Sequence, residues 1–243
     1  MKKSLGIDVG GSGIKGAIVD VDNGVFIGER HRIPTPQPAT PMAVAETIKA
    51  ILAHFEWSAP FGVGLPAVVQ QGVARSAANI HNDWIGTDAS ALLEEVTGCP
   101  ALVLNDADAA GVAEINHGAG FNRSGTLMML TLGTGIGSAL FVDGRLVPNT
   151  ELGHLNVGEV EAEIFASDAA RKRDDLDWPE WAARLDKVLG VYRDLFWPEC
   201  FILGGGVSKK HKKFIHLLKV ETPVIPAELL NGAGIIGAAM AVS

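Results

Sequence analysis

Cysteine is scarce in this chain of 243 residues: there are two, Cys99 and Cys200. They lie far apart and form no metal-type spacing, which fits a reducing compartment and excludes a zinc site built on cysteines. A positive charge excess is lacking as well. The 20 Lys and Arg are outnumbered by 28 Asp and Glu, for a formal net charge of −8, and this argues against general nucleic-acid binding, because duplex binders carry a basic surface. Long apolar runs are missing too. Met1-Lys2-Lys3 resembles the start of a signal peptide, but Asp8 and the glycines interrupt the apolar segment that follows. The late apolar stretch Gly232 to Val242 is too short to span a bilayer and rich in Gly and Ala, so it reads as a packed helix. A cytoplasmic protein without membrane association is expected. With 47% hydrophobic and 20% charged residues, the composition is that of an ordinary globular protein and not of a disordered one.

What the chain does contain is a near-repeat. Gly11-Ser12-Gly13-Ile14-Lys15-Gly16-Ala17 returns as Gly133-Thr134-Gly135-Ile136-Gly137-Ser138-Ala139, each copy preceded by an apolar run and leading into another. The pattern reads as one β-hairpin made twice. Glycines at a tight turn reach φ > 0 and bare backbone N–H groups, Ser12 or Thr134 adds a hydroxyl, and such a turn can cradle phosphate. A matched pair suggests two lobes that grip a phosphate chain from both sides of a cleft; two ordinary glycine hairpins are the alternative.

Strands Ser4 to Val9, Ile14 to Asp20 and Val25 to Ile33 read as a meander. A proline-rich connection, Pro34 to Pro41, leads to a helix with Val44, Ile48, Ile51 and Leu52 on one face, then strand Phe61 to Leu65, a helix near Ala89 to Thr97 and strand Ala101 to Leu104. Asn105 reads as the N-cap of a helix running to Gly118, with Asp108 near its third position. After the second hairpin, Pro179 sits just inside a helix that Pro198 stops, strand Cys200 to Leu203 follows, and Gly204-Gly205-Gly206 opens onto a basic helix from Ser208. The result is an α/β protein of two related lobes: 1–105, with a C-terminal helix at 230–243 packing back on it, and 106–229.

Chemistry-bearing residues stand where this arrangement exposes them. Asn105-Asp106 lies where a strand ends and a helix begins, the place where open α/β sheets bind ligands. Asp106 there can accept a proton from an attacking hydroxyl while Asn105 bonds another; a doubled helix cap is the alternative. Glu151-Leu152-Gly153-His154 adds a carboxylate and an imidazole suited to adjacent sugar hydroxyls, or a surface pair. Two basic stretches, Arg171-Lys172-Arg173 and Lys209-Lys210-His211-Lys212-Lys213, stand out in an acidic chain, with solvated helix surface as their plainer reading.

Taken together, these residues resemble the ROK family of sugar kinases, within the actin and hexokinase superfamily, and most closely its polyphosphate-using branch. The resemblance runs through Asp8 to Gly16, Thr35 to Pro41, Leu104 to Gly111, Leu132 to Ser138 and Asn149 to His154. It implies a two-lobed actin/hexokinase-like (ribonuclease H-like) fold with duplicated hairpins, and phosphoryl transfer to O6 of glucose. Asp106 would be the base, with Asn105, Glu151, His154 and Glu163 binding the sugar and Asn79 adding a contact. Gly11, Ser12, Gly13, Lys15, Gly133, Thr134, Gly135 and Gly205 would hold the donor phosphates, and Asp8 a Mg²⁺ through water. The family's zinc-binding cysteine cluster is absent, so no zinc is expected and His154 is freed from a metal. Inorganic polyphosphate is the expected main donor. Gly204 to Ser208 resembles the superfamily's adenosine loop, which keeps ATP as the alternative donor. Relatives imply a homodimer. The family also contains sugar-sensing repressors, which carry an N-terminal DNA-binding domain, and a non-catalytic scaffold would leave Asp106, Glu151 and His154 without a role.

Overall fold

The computed structural model describes residues 2–243; Met1, where the leader reading begins, lies outside the described residues. The chain packs as two units, 1–113 with 232–243 and 114–231. The division falls later than the 105/106 boundary suggested by the sequence, because the helix after Asn105 stays with the first unit through Ala113.

In the first unit, β1 (Lys3–Gly10), β2 (Gly13–Asp20) and β3 (Val25–Ile33) form the expected meander, followed by α1 (Pro41–His54) and β4 (Phe61–Leu65). The short strands β5 (Val69–Gln70) and β6 (Val73–Ala74) precede α2 (Ala89–Thr97), β7 (Ala101–Asn105) and α3 (Asp106–His117). The sheet order is β3-β2-β1-β4-β7, with β1 antiparallel to β2 and parallel to β4. Local chemistry sets the helix ends. Thr40 caps α1 ahead of Pro41, and the Asp88 carboxylate accepts from the Ala91 N–H at 2.9 Å to start α2, which ends at Gly98 with φ 74°. Leu5, Ile7, Val9, Phe61 and Val63 of the sheet pack with Val44, Ile48 and Ile51 of α1, all 0% exposed.

The second unit repeats this plan. It contains β8 (Thr126–Leu132), β9 (Ile136–Val142), β10 (Arg145–Val147), β11 (Asn156–Val157), β12 (Val160–Glu161), α4 (Ala162–Ala166), α5 (Asp168–Arg173), α6 (Trp178–Phe196), β13 (Cys200–Gly204) and β14 (Val224–Pro226). Its sheet order, β10-β9-β8-β13-β14, is the first sheet's order over again. A capping box between Asp177 and Glu180 starts α6, and Trp181, Leu185, Val188, Leu189 and Tyr192 of that helix are buried against the sheet. Glu114, 0% exposed, accepts from the backbone N–H groups of Ala119, Glu228 and Leu229 at 2.9, 3.1 and 2.7 Å. Those three donors supply the hydrogen bonds that a buried polar group needs.

The chain then returns to the first unit as α7 (Ala233–Ala241). A Cβ on Gly6 or Gly62 would overlap the carbonyl oxygens of Ile235 or Ala238, and one on Gly237 that of Ala109. The small residues of this segment therefore serve backbone-to-backbone packing. The basic segment after Gly205 differs from expectation: Gly206–Lys213 is 3₁₀ rather than α, with a kink at Lys210 (φ −105°, ψ 17°). Short 3₁₀ runs are usual, and long ones break.

Candidate active site

The expected base sits at a strand-to-helix junction in the first unit. Asn105 ends β7 and Asp106 begins α3. Asn105 Oδ1 accepts from the Ala107 and Asp108 N–H groups at 2.8 and 3.1 Å, so Asn105 is the helix cap, and its Nδ2 donates to the Ala67 carbonyl at 3.2 Å. Asn105 is only 7% exposed, while the Asp106 carboxylate is half-buried and accepts from the Ala107 N–H at 2.8 Å. The cap and the candidate base are thus separate side chains.

The first glycine turn lies in the same unit. Strands β1 and β2 are joined by Gly11-Ser12, with Gly10 paired to Gly13. The same register sets Lys15 opposite Asp8, and Lys15 Nζ donates to Asp8 Oδ2 at 3.0 Å. Arg32, opposite Lys15 on β3, donates to the Ser12 carbonyl at 2.6 Å. Two cations therefore flank this turn. The sequence reading found Lys15 and missed Arg32, although the hairpin registers place it there. Asn79, at φ 60°, lies against Gly11.

The second turn differs in length. Leu132 pairs with Ile136, so Gly133-Thr134-Gly135 forms the loop. Gly11, Gly13, Gly133 and Gly135 are not among the glycines with positive φ, which corrects the sequence argument for them; Gly205 is, at 80°. Space requires glycine at Gly205, where the clash is with backbone. A Cβ on Gly13 would strike the Arg32 guanidinium, one on Gly135 the Glu163 carboxylate, and one on Gly205 the Leu132 backbone, whereas Gly133 has open space.

Beside this turn the second unit assembles a cluster of acids around one imidazole. Glu151 precedes a 3₁₀ turn, Leu152–His154, whose backbone is anchored twice: the Leu152 N–H donates to Ser138 Oγ at 3.0 Å, and the buried Tyr192 hydroxyl donates to the Leu152 carbonyl at 2.6 Å. Gly153 packs so closely on the Ile136 carbonyl that a Cβ would not fit. His154 Nδ1 lies 3.0 Å from Glu161 Oε2 and 3.9 Å from Glu163 Oε1, and Nε2 lies 3.9 Å from Glu151 Oε2. The hydrogen bond to Glu161 holds the imidazolium form above its ordinary pKa, reinforced by the charges of Glu163 and Glu151. Burial pushes the Glu151 carboxyl up. Glu163 Oε2 also accepts from the Ile136 N–H at 3.3 Å.

Glu161 is the residue the sequence reading missed here. Its signal was the Val157-Gly158-Glu159-Val160 turn, with Gly158 at φ 73°, which folds β12 back along β11. His154, Glu161 and Glu163 offer one ligand atom each within 4.8 Å of one another. This nitrogen and two carboxylates are a different donor set from a cysteine-based zinc site.

Residues 4–164 match the ROK family, and the chain belongs to that family. It is 52% identical over 241 residues to the polyphosphate glucokinase of Mycobacterium tuberculosis (strain CDC 1551 / Oshkosh), covering 99% of this chain and 91% of that protein. Identity to the polyphosphate glucokinase of Mycobacterium leprae (strain TN) is 49% over 240 residues, 98% of this chain and 74% of that one. The crystal structure of an inorganic polyphosphate/ATP-glucomannokinase from Arthrobacter sp. strain KM superposes with a TM-score of 0.95 at 48% identity, over 100% of this chain and 98% of that chain. The fold is accordingly the α/β, actin/hexokinase-like one that the resemblance implied.

Proposed function

We propose that this protein is a glucokinase that transfers a phosphoryl group from inorganic polyphosphate to O6 of glucose, giving glucose 6-phosphate. One observation carries the reading: a chain 52% identical to a polyphosphate glucokinase over 99% of its own length also keeps a half-buried carboxylate, Asp106, that its neighbour Asn105 relieves of capping α3. ATP is a second donor in this reading, favoured by the polyphosphate/ATP specificity named for the Arthrobacter relative.

In the reaction the O6–phosphorus bond forms as the bond from phosphorus to the donor's bridging oxygen breaks. Asp106 takes the O6 proton, and the shortened polyphosphate or ADP leaves with the bridging oxygen. Asn105, Glu151, His154 and Glu163 bind the sugar hydroxyls. Turn amides at Gly11, Ser12, Gly13, Gly133, Thr134, Gly135 and Gly205, with Lys15, hold the donor. Asp8 fits a hard divalent cation taken through water: it is an oxygen donor, its side chain is 22% exposed, and its Oδ2 is steadied by Lys15. Mg²⁺, when bound, offsets charge on the phosphoryl oxygens.

No helix among the described residues is long and apolar enough to cross a membrane, and the reading includes a cytoplasmic homodimer, which light scattering on the purified protein checks. The function itself is tested by supplying glucose and Mg²⁺ with either polyphosphate or ATP and measuring glucose 6-phosphate. Product from neither donor overturns the reading.

A further inference from the structure

The two basic stretches, separate in sequence, meet at one indole ring of the second unit. The Arg171 guanidinium carbon lies 4.5 Å from the centroid of the Trp178 ring, and the ammonium nitrogens of Lys210 and Lys213 lie 6.0 and 5.7 Å from it. The ring has firm support. It stacks on the buried Phe214 at 5.9 Å and meets the buried Trp181 edge-on at 5.8 Å, and the Trp181 N–H donates to the Ala166 carbonyl at 2.9 Å.

Compensation is uneven across these cations. Asp168 pairs with Arg171 and Lys172, and Asp174 with Arg173. Among the described residues, no ion pair within 4.0 Å involves Lys209, Lys210, Lys212 or Lys213, all four of them exposed. Like charges gathered on one face repel one another, and in a chain of net charge −8 acidic neighbours were plentiful. An unneutralised group of this kind attracts a mobile polyanion.

The patch is also continuous with the phosphate-type turns. The Gly133 carbonyl accepts from the Ala169 N–H at 3.0 Å, which ties the second turn to the start of α5 and so to Arg171. Gly205 packs on the Leu132 backbone, and its carbonyl accepts from Ser208 Oγ at 2.8 Å, one residue before the lysines begin. Turn, loop and cations belong to one framework.

We propose that Lys210 and Lys213, mounted on Trp178 beside the Asp168-paired Arg171, form a track for the internal phosphates of long inorganic polyphosphate, beyond the end that reacts. The inference rests on the polyphosphate reading above. It distinguishes donors by length: a long chain repeats its negative charge and reaches the track, whereas ATP has no charge to place there beyond its three phosphates.

The test compares wild type, Lys210→Glu with Lys213→Glu, and a charge-matched control, Lys49→Glu with Lys219→Glu, across a salt series. For the track variant, KM for long polyphosphate rises roughly tenfold at low salt while KM for ATP and for glucose stays within about twofold. The rise shrinks toward 1 M salt, where the Debye length falls to about 3 Å. Retained ATP kinetics establish that the variant is folded. Equal KM for long polyphosphate in variant and wild type, or an equal rise in the control, overturns the track and leaves the proposed function standing. A wild type that uses ATP but no polyphosphate overturns the polyphosphate reading itself.

Discussion

Replacing Asp106 by asparagine separates the two jobs that a carboxylate at the start of α3 can hold. As a helix terminus, Asp106 contributes little, because the cap is Asn105: its Oδ1 takes the Ala107 and Asp108 N–H groups at 2.8 and 3.1 Å, and neither bond is lost in the variant. What is lost is one negative charge in the first turn, about 0.3–1 kcal/mol, with Asp108 still present in the same turn. As a general base, Asp106 is worth about 10²–10⁴ in rate, which at about 1.36 kcal/mol per tenfold is about 2.7–5.4 kcal/mol of barrier. The two roles thus differ severalfold in size and appear in different measurements. Asp106→Asn lowers kcat by about a hundredfold or more with saturating polyphosphate, while the melting temperature moves by a few degrees at most and glucose still binds by calorimetry. A variant that keeps kcat within tenfold of wild type would refute the assignment and move the base elsewhere.

Three further outcomes follow from the second unit. Glu151→Gln and His154→Ala each reduce the thermal stabilisation that glucose confers, since a hydroxyl left unpaired in the site is costly; full retention by either variant removes that residue from the sugar site. Glu161→Gln removes the main cause of the raised His154 pKa, so the imidazole titration followed by NMR moves back toward 6.5, and an unmoved midpoint refutes the pairing. The sign for stability follows: protonated His154 contributes fully below 6.5, and the contribution fades as pH rises through the raised folded value, so the variant loses part of that pH dependence of melting, Glu163 and Glu151 supplying the rest. Gly205→Ala, held at φ 80° and ψ −179° with its Cβ on the Leu132 backbone, costs about 1–3 kcal/mol from that glycine-only backbone region alone, whereas Gly133→Ala meets open space and leaves the melting temperature nearly unchanged. Equal melting temperatures for the two variants would contradict this account.

Much of this fold is legible in the sequence because its signals are local. Period-two apolar runs gave the meander and the two hairpins, Asn105 announced a helix start, and Pro179 and Pro198 bracketed α6, which ends where Trp197 turns left-handed at φ 46°. The misreadings have local causes too. Glycine permits positive φ without requiring it, so Gly11 and Gly135 could not be distinguished from Gly205 before the backbone was seen. A run of basic residues at Lys209 to Lys213 reads equally as α or 3₁₀. Other features depend on distant packing. Arg32 reaches the first turn through the register of a third strand, and Arg171 and Lys213 come to one ring because α6 carries Trp178 onto Phe214.

The repeated hairpins also show how one plan supports two different local chemistries. At the first turn stand Lys15 and Arg32, with the nearby Asp8 paired with Lys15. At the second stands Glu163, whose carboxylate accepts from the Ile136 N–H and occupies the space that a side chain on Gly135 would fill. A phosphate competing for that N–H is repelled by the carboxylate, so the second turn is the poorer anion site for as long as Glu163 stays on Ile136. The cations missing from the second turn are found one step further out, on α5 and on the 3₁₀ segment after Gly205. Positive charge close to the first turn suits a single phosphoryl group, whereas charge displaced from the second suits an anion that extends past it.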